Sequence, residues 1–527
     1  MRLALAAAAS VLAALLAVPA AGSAARPAPA ALVRQGLVRA VDRGELTATE
    51  AAGYRATLAN VLDESTRLPP LRADLLHAIV ADVAGQWRSY TAPRALTLFS
   101  TLAVNADWLE SHALVGPRPD LEADDGAVYR FFSGHGYVFH PLANFAKLNA
   151  YAAAKDETHV AHLAAALLAR AVPLGRSLVW QYDFPFASGR PPWTSGMAQA
   201  VAAQAFARAG TLLGDQTLLD TADAAYAAVP RLLSTASPAK PWVALYSFDR
   251  VPVLNAQLQA ALSLDDYAAI SGSNGAESLA GRVTAAALRL LPSFDTGYWS
   301  LYSLRGDESP LDYHDYVIGL LRKLATRTGE AAWREAADRF QSYEAQPPLI
   351  RFRAPPPTVF PRPADGFRDE ASIPFWLSKA STVTLLVGGR RVTQHYSHGA
   401  HTLVWNPGDA DPGTYHPFVT VVGPAGTRFE LAAPAVTVAP PPGPPPLAVS
   451  VTAPASVSWS SEAEGTPWLH LRLDLSRGFA TRTIDLGRRR LAGTRHLRLP
   501  PGRWHALLRV ANSAGRSRTV SLGYLPR

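Results

Sequence analysis

The segment LRLLPSFDTGYWSLYSLRGDESPLDYHDYV, residues 288–317, joins an apolar helical pattern to a short alternating pattern and then to the start of another helix. After the turn at residues 295–297, successive side chains from Tyr298 to Arg305 alternate between two faces. Alternation with a period of two is typical of a strand, because neighbouring strand residues point to opposite sides. We therefore predict a strand here that ends at Gly306.

The second helix of this segment begins with residues that favour a helix N-terminus. Ser309 is predicted to be the N-cap, with Pro310 at the first helical position and Asp312 completing a pattern similar to a capping box. Tyr313 and His314 then lie on the first turn, where the helix dipole is positive. The segment thus predicts that aromatic, cationic and backbone N–H groups converge over a short distance.

Helical patterns alternate with short links over most of residues 131–346. The links are rich in Gly, Pro, Trp, Tyr and Arg, and paired helices with such links on one side suggest an (α/α) toroid around a concave site. The preceding segment, residues 31–130, is also predicted to be helical and to serve mainly in packing. The helices predicted after it are 158–173, 195–213, 216–233, 254–267, 275–291, 311–328 and 331–345.

Strand patterns replace the helical ones after the proline-rich residues 347–366, which are predicted to be a linker. Short alternating runs separated by turn residues predict two small immunoglobulin-like β-sandwiches, at 367–439 and 447–527. PPPGPPP, residues 440–446, predicts a stiff linker between them. The predicted fold class is therefore mainly α plus β, a toroid-like helical domain followed by two sandwiches that act as spacers or as sugar-binding modules.

The first 25 residues have the composition of a secretory signal peptide. Arg2 precedes an Ala- and Leu-rich core at 3–18, and small residues follow at 20–24. The apolar run is short for a membrane span, although a retained anchor is the alternative. We expect a secreted or cell-envelope protein with no membrane span in the mature chain. The sequence contains no cysteine, which excludes disulfides, thiol nucleophiles and cysteine metal ligands.

The chain carries a formal net charge of +8, and its pI is about 9.7. One explanation is an arginine-rich proteome, and the other is an anionic partner. The export signal argues against nucleic acid, as does the absence of basic runs interleaved with aromatic residues. An acidic polysaccharide agrees with both the charge and the expected compartment. The oligomeric state is not predicted.

Four blocks of sequence with aromatic and small polar residues follow one another between residues 136 and 344. Together they resemble the C-terminal region of D-glucuronyl C5-epimerases, the enzymes that invert C5 of uronic acids in heparosan-type glycans. The resemblance covers about 210 of the 527 residues. The blocks are 136–141 (GYVFHP), 192–200 (PWTSGMAQA), 245–256 (LYSFDRVPVLNA), and 295–305 (DTGYWSLYSLR) with 312–314 (DYH).

The resemblance implies an isomerase that removes the C5 proton of a uronic acid and returns a proton to the opposite face. Two acid–base groups are then needed, and the carbanionic intermediate requires a positive charge near its carboxylate. Tyr302, Tyr313 and Tyr246 match the functional tyrosines of the family. A tyrosine base needs nearby positive charge, because its ordinary pKa is about 10. Arg305 is the natural clamp for the carboxylate, since guanidinium binds carboxylate in a bidentate manner.

Each candidate residue also has a purely structural interpretation. Lone tyrosines often pack at helix ends, Arg305 has Asp307 and Asp312 as alternative partners, and Trp193 is either a sugar platform or part of the core. The residues that the resemblance places near the substrate are Arg305, His314, Asn255, Trp193, Gln199 and Arg250. No cofactor or metal site is expected, and the chain contains no contiguous calcium-binding loop.

One difference from the family concerns the residue before Tyr246. Several members have an acidic residue at that position, whereas this chain has Leu245, so Asp249 or Asp312 is the substitute that remains. Two alternatives to the epimerase follow. A polysaccharide lyase shares the C5 proton abstraction but expels the 4-O substituent, and a non-catalytic protein would only bind acidic glycans in the envelope.

Overall fold

The structure is a computed structural model that describes residues 28–116, 118–234, 240–452 and 456–525. The predicted signal peptide lies outside these residues. The chain divides into two compact units after Gln341, and each is described by itself. The first unit is predominantly helical, and the second consists of small sheets. Within the described ranges, no helix combines the length and apolar character that crossing a bilayer requires.

The described residues contain twelve α-helices, and the division between the units falls within the last of them. Helices α5, α7, α9 and α11 each precede a partner of similar or shorter length, and the observed bounds agree with the predicted helices to within a few residues at most ends. The helices are α1 Pro29–Asp42, α2 Ala48–Arg67, α3 Pro70–Gly85, α4 Ala92–Ser111, α5 Pro141–Ala154, α6 Glu157–Leu168, α7 Gly196–Leu213, α8 Gln216–Tyr226, α9 Leu254–Ser271, α10 Asn274–Leu290, α11 Leu311–Thr328 and α12 Ala331–Ala345.

Short strands lie in the links of the helical unit. β1, β2 and β3 form one antiparallel sheet, and β4–β5 and β6–β7 form two hairpins. The strands are β1 Leu121–Glu122, β2 Val128–Phe132, β3 Gly136–Phe139, β4 Val172–Leu174, β5 Ser177–Val179, β6 Leu233–Ser234 and β7 Trp242–Val243. One apolar cluster extends from Val33 in α1 to Ala276 in α10. Residues 31–130 therefore share an apolar core with the helices that follow.

Helices α5, α7, α9 and α11, here called the inner helices, each bury a polar side chain at their fourth residue. Asn144, Gln199 and Gln257 bond both a backbone N–H and a backbone C=O of the link that precedes their helix, at 2.7–3.1 Å. His314 occupies the same position in α11 and lies 2.7 Å from the Ser300 hydroxyl. Each inner helix is thus fixed to its link by one buried side chain, because buried backbone groups need partners.

The link before α11 differs from its sequence prediction. Residues 298–305 form isolated bridges, among them Val253 with Ser303, instead of a regular strand. Helix α11 has Pro310 at its N-cap position and no side-chain cap. Ser309 does not cap the helix, because its hydroxyl accepts a hydrogen bond from Ser300 and its carbonyl accepts one from Trp299 Nε1. Long-range partners replaced the local capping bond that the sequence favours.

The second unit contains seventeen strands within its described residues, arranged in five sheets ordered β13-β10-β8, β12-β11-β15-β16, β14-β17-β9, β18-β19-β22 and β21-β20-β23-β24. The strands are β8 Ile350–Phe352, β9 Thr358–Val359, β10 Ala371–Leu377, β11 Ser381–Val387, β12 Arg390–Tyr396, β13 Gly399–Trp405, β14 Gly413–Tyr415, β15 Phe418–Val422, β16 Arg428–Ala432, β17 Val436–Val438, β18 Ala448–Thr452, β19 Ser456–Ser460, β20 Leu469–Arg477, β21 Ala480–Arg489, β22 Ala492–His496, β23 Trp504–Asn512 and β24 Ser517–Leu525.

Two apolar clusters support these sheets. One contains buried residues from Ile350 to Val438, and the other contains buried residues from Val457 to Leu525. The first cluster includes strands β8 and β9, which pair with β10 and β17. Residues 347–366 are therefore only partly a linker, since their backbone groups complete two sheets.

Deleting residues 440–527 removes the whole second cluster and leaves the first cluster and the helical unit with their own cores. We expect the truncated protein to retain its helical circular dichroism and a cooperative thermal transition, because a domain with its own core folds as a unit. Loss of either signal on truncation would contradict this division.

Candidate active site

A cavity of about 1020 Å³ lies along the four inner helices. Each helix lines it with its second and sixth residues, a spacing of four that places both side chains on the same helix face. Helices α7 and α9 also line the cavity with their ninth and thirteenth residues, so the cavity-lining residues form a stripe along each of these helices. The residues at the second and sixth positions are Leu142, Met197, Asn255 and Asp312, and Ala146, Val201, Gln259 and Tyr316.

Charged residues surround the end of the cavity near the middle and C-terminal turns of these helices. Arg208 pairs with Asp266, and Arg327 pairs with Asp266 and Asp265. Arg322 and Lys323 also line the cavity, and both are exposed. Cationic side chains therefore outnumber the carboxylates at this end, which favours an anionic ligand.

The three predicted tyrosines lie together at the opposite end of the cavity. The rings of Tyr302 and Tyr313 meet edge to face with centroids 5.4 Å apart, and the hydroxyl of Tyr302 interacts with that of Tyr246. Tyr313 lines the cavity directly. Tyr246 and Tyr302 pack behind it, against a small cluster containing Met197 and Leu245. All three tyrosines are half-buried.

Burial dominates the acid–base behaviour of these tyrosines. Desolvation raises the pKa of Tyr246 to about 12, although hydrogen bonding from Tyr302 opposes the shift. Desolvation and the neighbouring Tyr246 and Tyr313 raise the pKa of Tyr302 far above its ordinary value. Desolvation and Asp312 raise the pKa of Tyr313, while the positive charge of Arg130 lowers it. Of the three hydroxyls, only that of Tyr313 has a nearby arginine that favours its ionised form.

Arg130 is a candidate site residue that the sequence patterns did not reveal. It lies on β2, lines the cavity, and is oriented by two hydrogen bonds to Asp120 of 2.8 and 2.6 Å. Its charge acts on Tyr313, on Tyr182 and on His140, whose pKa is lowered well below its ordinary value by burial and then by Arg130. Residues 128–132, VYRFF, alternate, and this charge within an apolar strand was the available signal.

Arg305 does not line the cavity. Its guanidinium is mostly exposed and forms an ion pair of 2.9 Å with Asp249, which is neither of the partners considered from the sequence. Arg250 is also exposed, and its nearest hydrogen-bond contact is the Leu233 carbonyl at 3.4 Å. In this arrangement Arg130 rather than Arg305 is the cation next to the tyrosines.

Two further candidates, Gln199 and His314, are structural residues in this arrangement. Gln199 is fully buried and bonds the backbone of Trp180 and Leu178. His314 is fully buried and stacks on Trp299 at 3.7 Å, and its Nε2 lies 2.9 Å from the Phe340 carbonyl oxygen. These two side chains fix links and do not reach a ligand.

Trp193 is also buried rather than presented to the cavity. Its ring stacks on Tyr182 with centroids 4.1 Å apart and an interplanar angle of 2°. Its Nε1 donates to the Phe184 carbonyl at 2.8 Å, and its edge meets Tyr246 at 5.5 Å. Trp193 therefore supports Tyr246 from behind and leaves no open face for a sugar.

Two polar atoms at the cavity have no hydrogen-bond partner among the described residues. Asn255 is 4% exposed, yet its Oδ1 is unpaired. Asp312, which like Asn255 is the second residue of its helix, has an unpaired and buried Oδ2. Buried polar atoms are normally satisfied, so these two oxygens are exceptions beside the cavity. Leu245 is buried, and Asp249 is held by Arg305, which leaves Asp312 as the carboxylate nearest Tyr313.

The described residues contain no group of three His, Asp or Glu side chains arranged to hold a metal ion. The site consists of tyrosine hydroxyls, one arginine, one carboxylate and one amide around a cavity. Such groups transfer protons and bind hydroxyl and carboxylate groups.

One part of the chain matches a known family. Residues 175–342 match the model described as D-glucuronyl C5-epimerase C-terminus. The match confirms the resemblance for this part of the chain, which contains α7, α9, α11 and all three tyrosines. At the level of the family it supports a uronic-acid epimerase, and hence an isomerase. Arg130 and α5 precede the matched residues. No curated protein sequence matches the chain.

Similarities to solved structures are weak. An endo-beta-1,4-glucanase from Acetobacter xylinum is 15% identical over 34% of this chain and 56% of its own, with a TM-score of 0.28. An endoglucanase from Komagataeibacter sucrofermentans is 14% identical over 38% of this chain and 72% of its own, with a TM-score of 0.29. The fibronectin(III)-like modules of Clostridium thermocellum CbhA are 10% identical over 33% of this chain and 91% of their own, with a TM-score of 0.17. Similarities of this size identify neither a fold nor an activity.

Replacing Gln199 with Ala distinguishes a structural role from substrate binding. We expect the free energy of unfolding to fall by about 2–4 kcal/mol, because the substitution leaves a backbone N–H and a C=O buried without partners. Gln216→Ala is the matched control, since Gln216 is exposed on α8 and should change stability by less than about 0.5 kcal/mol. Denaturant unfolding measures the free energy of unfolding of both variants. Equal changes in the two variants would show that Gln199 has no structural role.

Proposed function

We propose that the protein is an exported D-glucuronyl C5-epimerase that acts on an acidic polysaccharide. The helical unit is then an (α/α) toroid, and the two β regions are immunoglobulin-like accessory modules. The observation that carries this proposal is the pairing of Tyr302 and Tyr313 beside Arg130, within a region that matches the epimerase family. The cationic residues at the other end of the cavity support an anionic substrate.

The reaction replaces the hydrogen at C5 of a uronic acid with inversion. A base removes the C5 proton, and the electron pair of the broken C–H bond delocalises into the carboxylate. An acid on the opposite face then donates a proton to C5. Because the dianionic intermediate is the least stable species, the positive charge held near the carboxylate contributes most when that intermediate forms.

We infer the two roles from the environments of the tyrosines. Tyr313 is the candidate base, because Arg130 favours its ionised form. Tyr302 is the candidate proton donor, because burial and its tyrosine neighbours keep it protonated. Tyr302 becomes a tyrosinate as it gives up its proton, and donation between the Tyr246 and Tyr302 hydroxyls offers a route for redistributing the charge. Groups with opposed tendencies in one site are typical of paired acid–base catalysis.

The remaining polar groups bind the sugar. Arg130 is placed to receive the carboxylate, since its side chain is already oriented by Asp120. Asn255 lines the cavity, and its amide is the candidate partner for a sugar hydroxyl. Asp312 is the second candidate for the base, because its unpaired Oδ2 is adjacent to Tyr313.

Tyr302→Phe and Tyr313→Phe each remove one hydroxyl and retain the ring. We expect each to lower the epimerisation rate by about 10²–10⁴, the usual contribution of a general acid or base. NMR in deuterated water with a glucuronic acid polymer measures both the appearance of the inverted product and the loss of the C5–H signal. A variant that lacks only the acid should still exchange C5–H without inverting it.

Two further variants belong to that experiment. Asp312→Asn tests the alternative base, and Tyr316→Phe is the control that removes a different tyrosine hydroxyl. Full rates in both Tyr→Phe variants together with loss of activity in Asp312→Asn would replace the two-tyrosine mechanism with a carboxylate base. An unsaturated product instead of an inverted one would show a lyase. Binding of the polymer without any C5–H exchange in the unsubstituted protein would show a glycan-binding protein.

Arg130→Gln tests the electrostatic part of the proposal through pH. Arg130 lowers the pKa of Tyr313, so its loss raises that pKa and moves the rise of the rate with pH to higher pH. At neutral pH the rate should therefore fall by at least about tenfold. Arg130→Lys retains the charge and should retain most of the profile. A rate that falls equally at every pH would show that Arg130 only binds substrate.

A further inference from the structure

The positive charge of this protein is concentrated in its last segment. Thirteen of the fifty Lys and Arg residues, but only four of the forty-two Asp and Glu residues, lie in 447–527. This segment therefore carries +9, and the other 446 residues together carry −1. All thirteen are arginines. An arginine-rich proteome would enrich the whole chain, so the local excess requires an explanation within this segment.

Four of the thirteen arginines lie together on one sheet face, three of them placed there by the register of the strands. In the sheet β21-β20-β23-β24, the leucines of β20 point into the core, so the alternate residues of β20 and β23 point outward. Arg488 and His470 are direct partners, and Arg472 and Arg509 are direct partners one row further along. His505 pairs with Tyr524 at the far end. With Arg503 and Trp468, these outward residues form what we call the basic face.

The opposite sheet of this segment carries no such charge. Its outward rows across β18, β19 and β22 consist of Ser, Thr and Ala with a single histidine, His496. The basic face measures about 20 by 14 Å from its four rows and four strands. The two sheets therefore differ, because the outward rows of the basic face carry arginines and those of the opposite sheet carry none.

Three arginines of the basic face form no ion pair among the described residues, namely Arg488, Arg503 and Arg509, although the charge of Arg509 helps to lower the pKa of Asp474. The guanidinium of Arg488 lies over the Trp468 ring at 4.2 Å, and that of Arg503 lies over the Tyr524 ring at 4.9 Å. Arg509 is oriented by a hydrogen bond of 3.3 Å to the Ser517 hydroxyl. All three are exposed. Rings and hydroxyls orient these groups without neutralising them, which lowers the entropy cost of binding.

The two carboxylates on the face are already occupied. Asp474 accepts hydrogen bonds from Arg472 and Thr483, at 2.9 and 2.7 Å. Asp485 accepts from the backbone N–H of Gly487 at 2.8 Å and lies 2.7 Å from His470 Nε2. The pKa of each is lowered by these contacts, so both stay ionised and hold their neighbours in place. The three free arginines remain as the groups available to an anion.

We propose that the basic face is a second binding site, separate from the cavity, for an acidic polysaccharide. Planar guanidinium groups bind carboxylates in a bidentate manner, and the threonines and serines between them suit a polymer rich in hydroxyl groups. Tyr524 and the fully exposed Phe479 in the β20–β21 turn offer rings to pack on sugars. The choice of polysaccharide over other polyanions rests on the proposed function.

The test compares two triple variants of the full-length protein. Arg488→Gln/Arg503→Gln/Arg509→Gln removes three charges from the basic face. Arg495→Gln/Arg498→Gln/Arg516→Gln removes the same charge from exposed positions elsewhere in the segment. Calorimetry measures binding to polyglucuronic acid, with dextran as the neutral polymer and vesicles containing phosphatidylglycerol as the anionic surface. Thermal melting verifies that both variants are folded.

We expect the first variant to bind polyglucuronic acid about tenfold more weakly and the second to bind nearly as well as the parent. The parent affinity should fall as salt is added, and dextran should not bind. Arg→Lys substitutions at the same three positions should keep more affinity than the Gln variant. Tenfold losses in both Gln variants, or in neither, would overturn the basic face as a site, as would binding to the vesicles but not to the polymer.

The result is independent of the catalytic proposal. C5–H exchange on a short glucuronic acid oligosaccharide should be unchanged in the first variant, because none of its three residues lines the cavity. Normal exchange with unchanged polymer affinity would overturn only the second site. Absent exchange in the parent with tenfold weaker binding in the first variant would overturn only the epimerase.

Discussion

The helical unit depends on one repeated interaction, the bond between a buried polar side chain and the link that precedes its helix. Asn144, Gln199 and Gln257 each satisfy a backbone N–H and C=O that would otherwise be buried without partners. Leaving such groups unpaired costs about 1–3 kcal/mol each. His314 takes the fourth position with an imidazole instead of an amide. The links between helices are long and irregular. These bonds therefore fix the conformation of the links, as the hydrogen bonds of a regular strand would.

The cavity follows from the same register. With the fourth residue directed into the links, the second and sixth residues of each inner helix turn toward the cavity. Met197 and Leu142 fill two of these positions with apolar side chains, whereas Asn255 and Asp312 present oxygen atoms. At the second and sixth positions, the polar side chains are therefore supplied by α9 and α11. These are also the helices next to which Tyr246, Tyr302 and Tyr313 meet.

The sequence predicts the helices well, because each one combines an apolar period with Gly, Pro or Asp at its ends. It also predicts the three tyrosines as a group, through the family resemblance. It does not predict which polar residues face a ligand. Gln199 and His314 lie in the blocks that carry the resemblance, yet their partners are groups that only the folded chain brings near. Arg305 is separated by 56 residues from its partner Asp249, and no local pattern reveals such a pair.

The repeated fourth-residue bond also sets where the chain tolerates changes in length. One residue inserted into the first turn of an inner helix rotates everything after it by about 100°, so the link bond and the cavity stripe are lost together. An insertion in the exposed turn between β4 and β5, by contrast, lies outside both patterns. Length variation among proteins built on this plan should therefore accumulate in the outer turns. The spacing between each buried amide and the cavity residues on its helix should remain fixed.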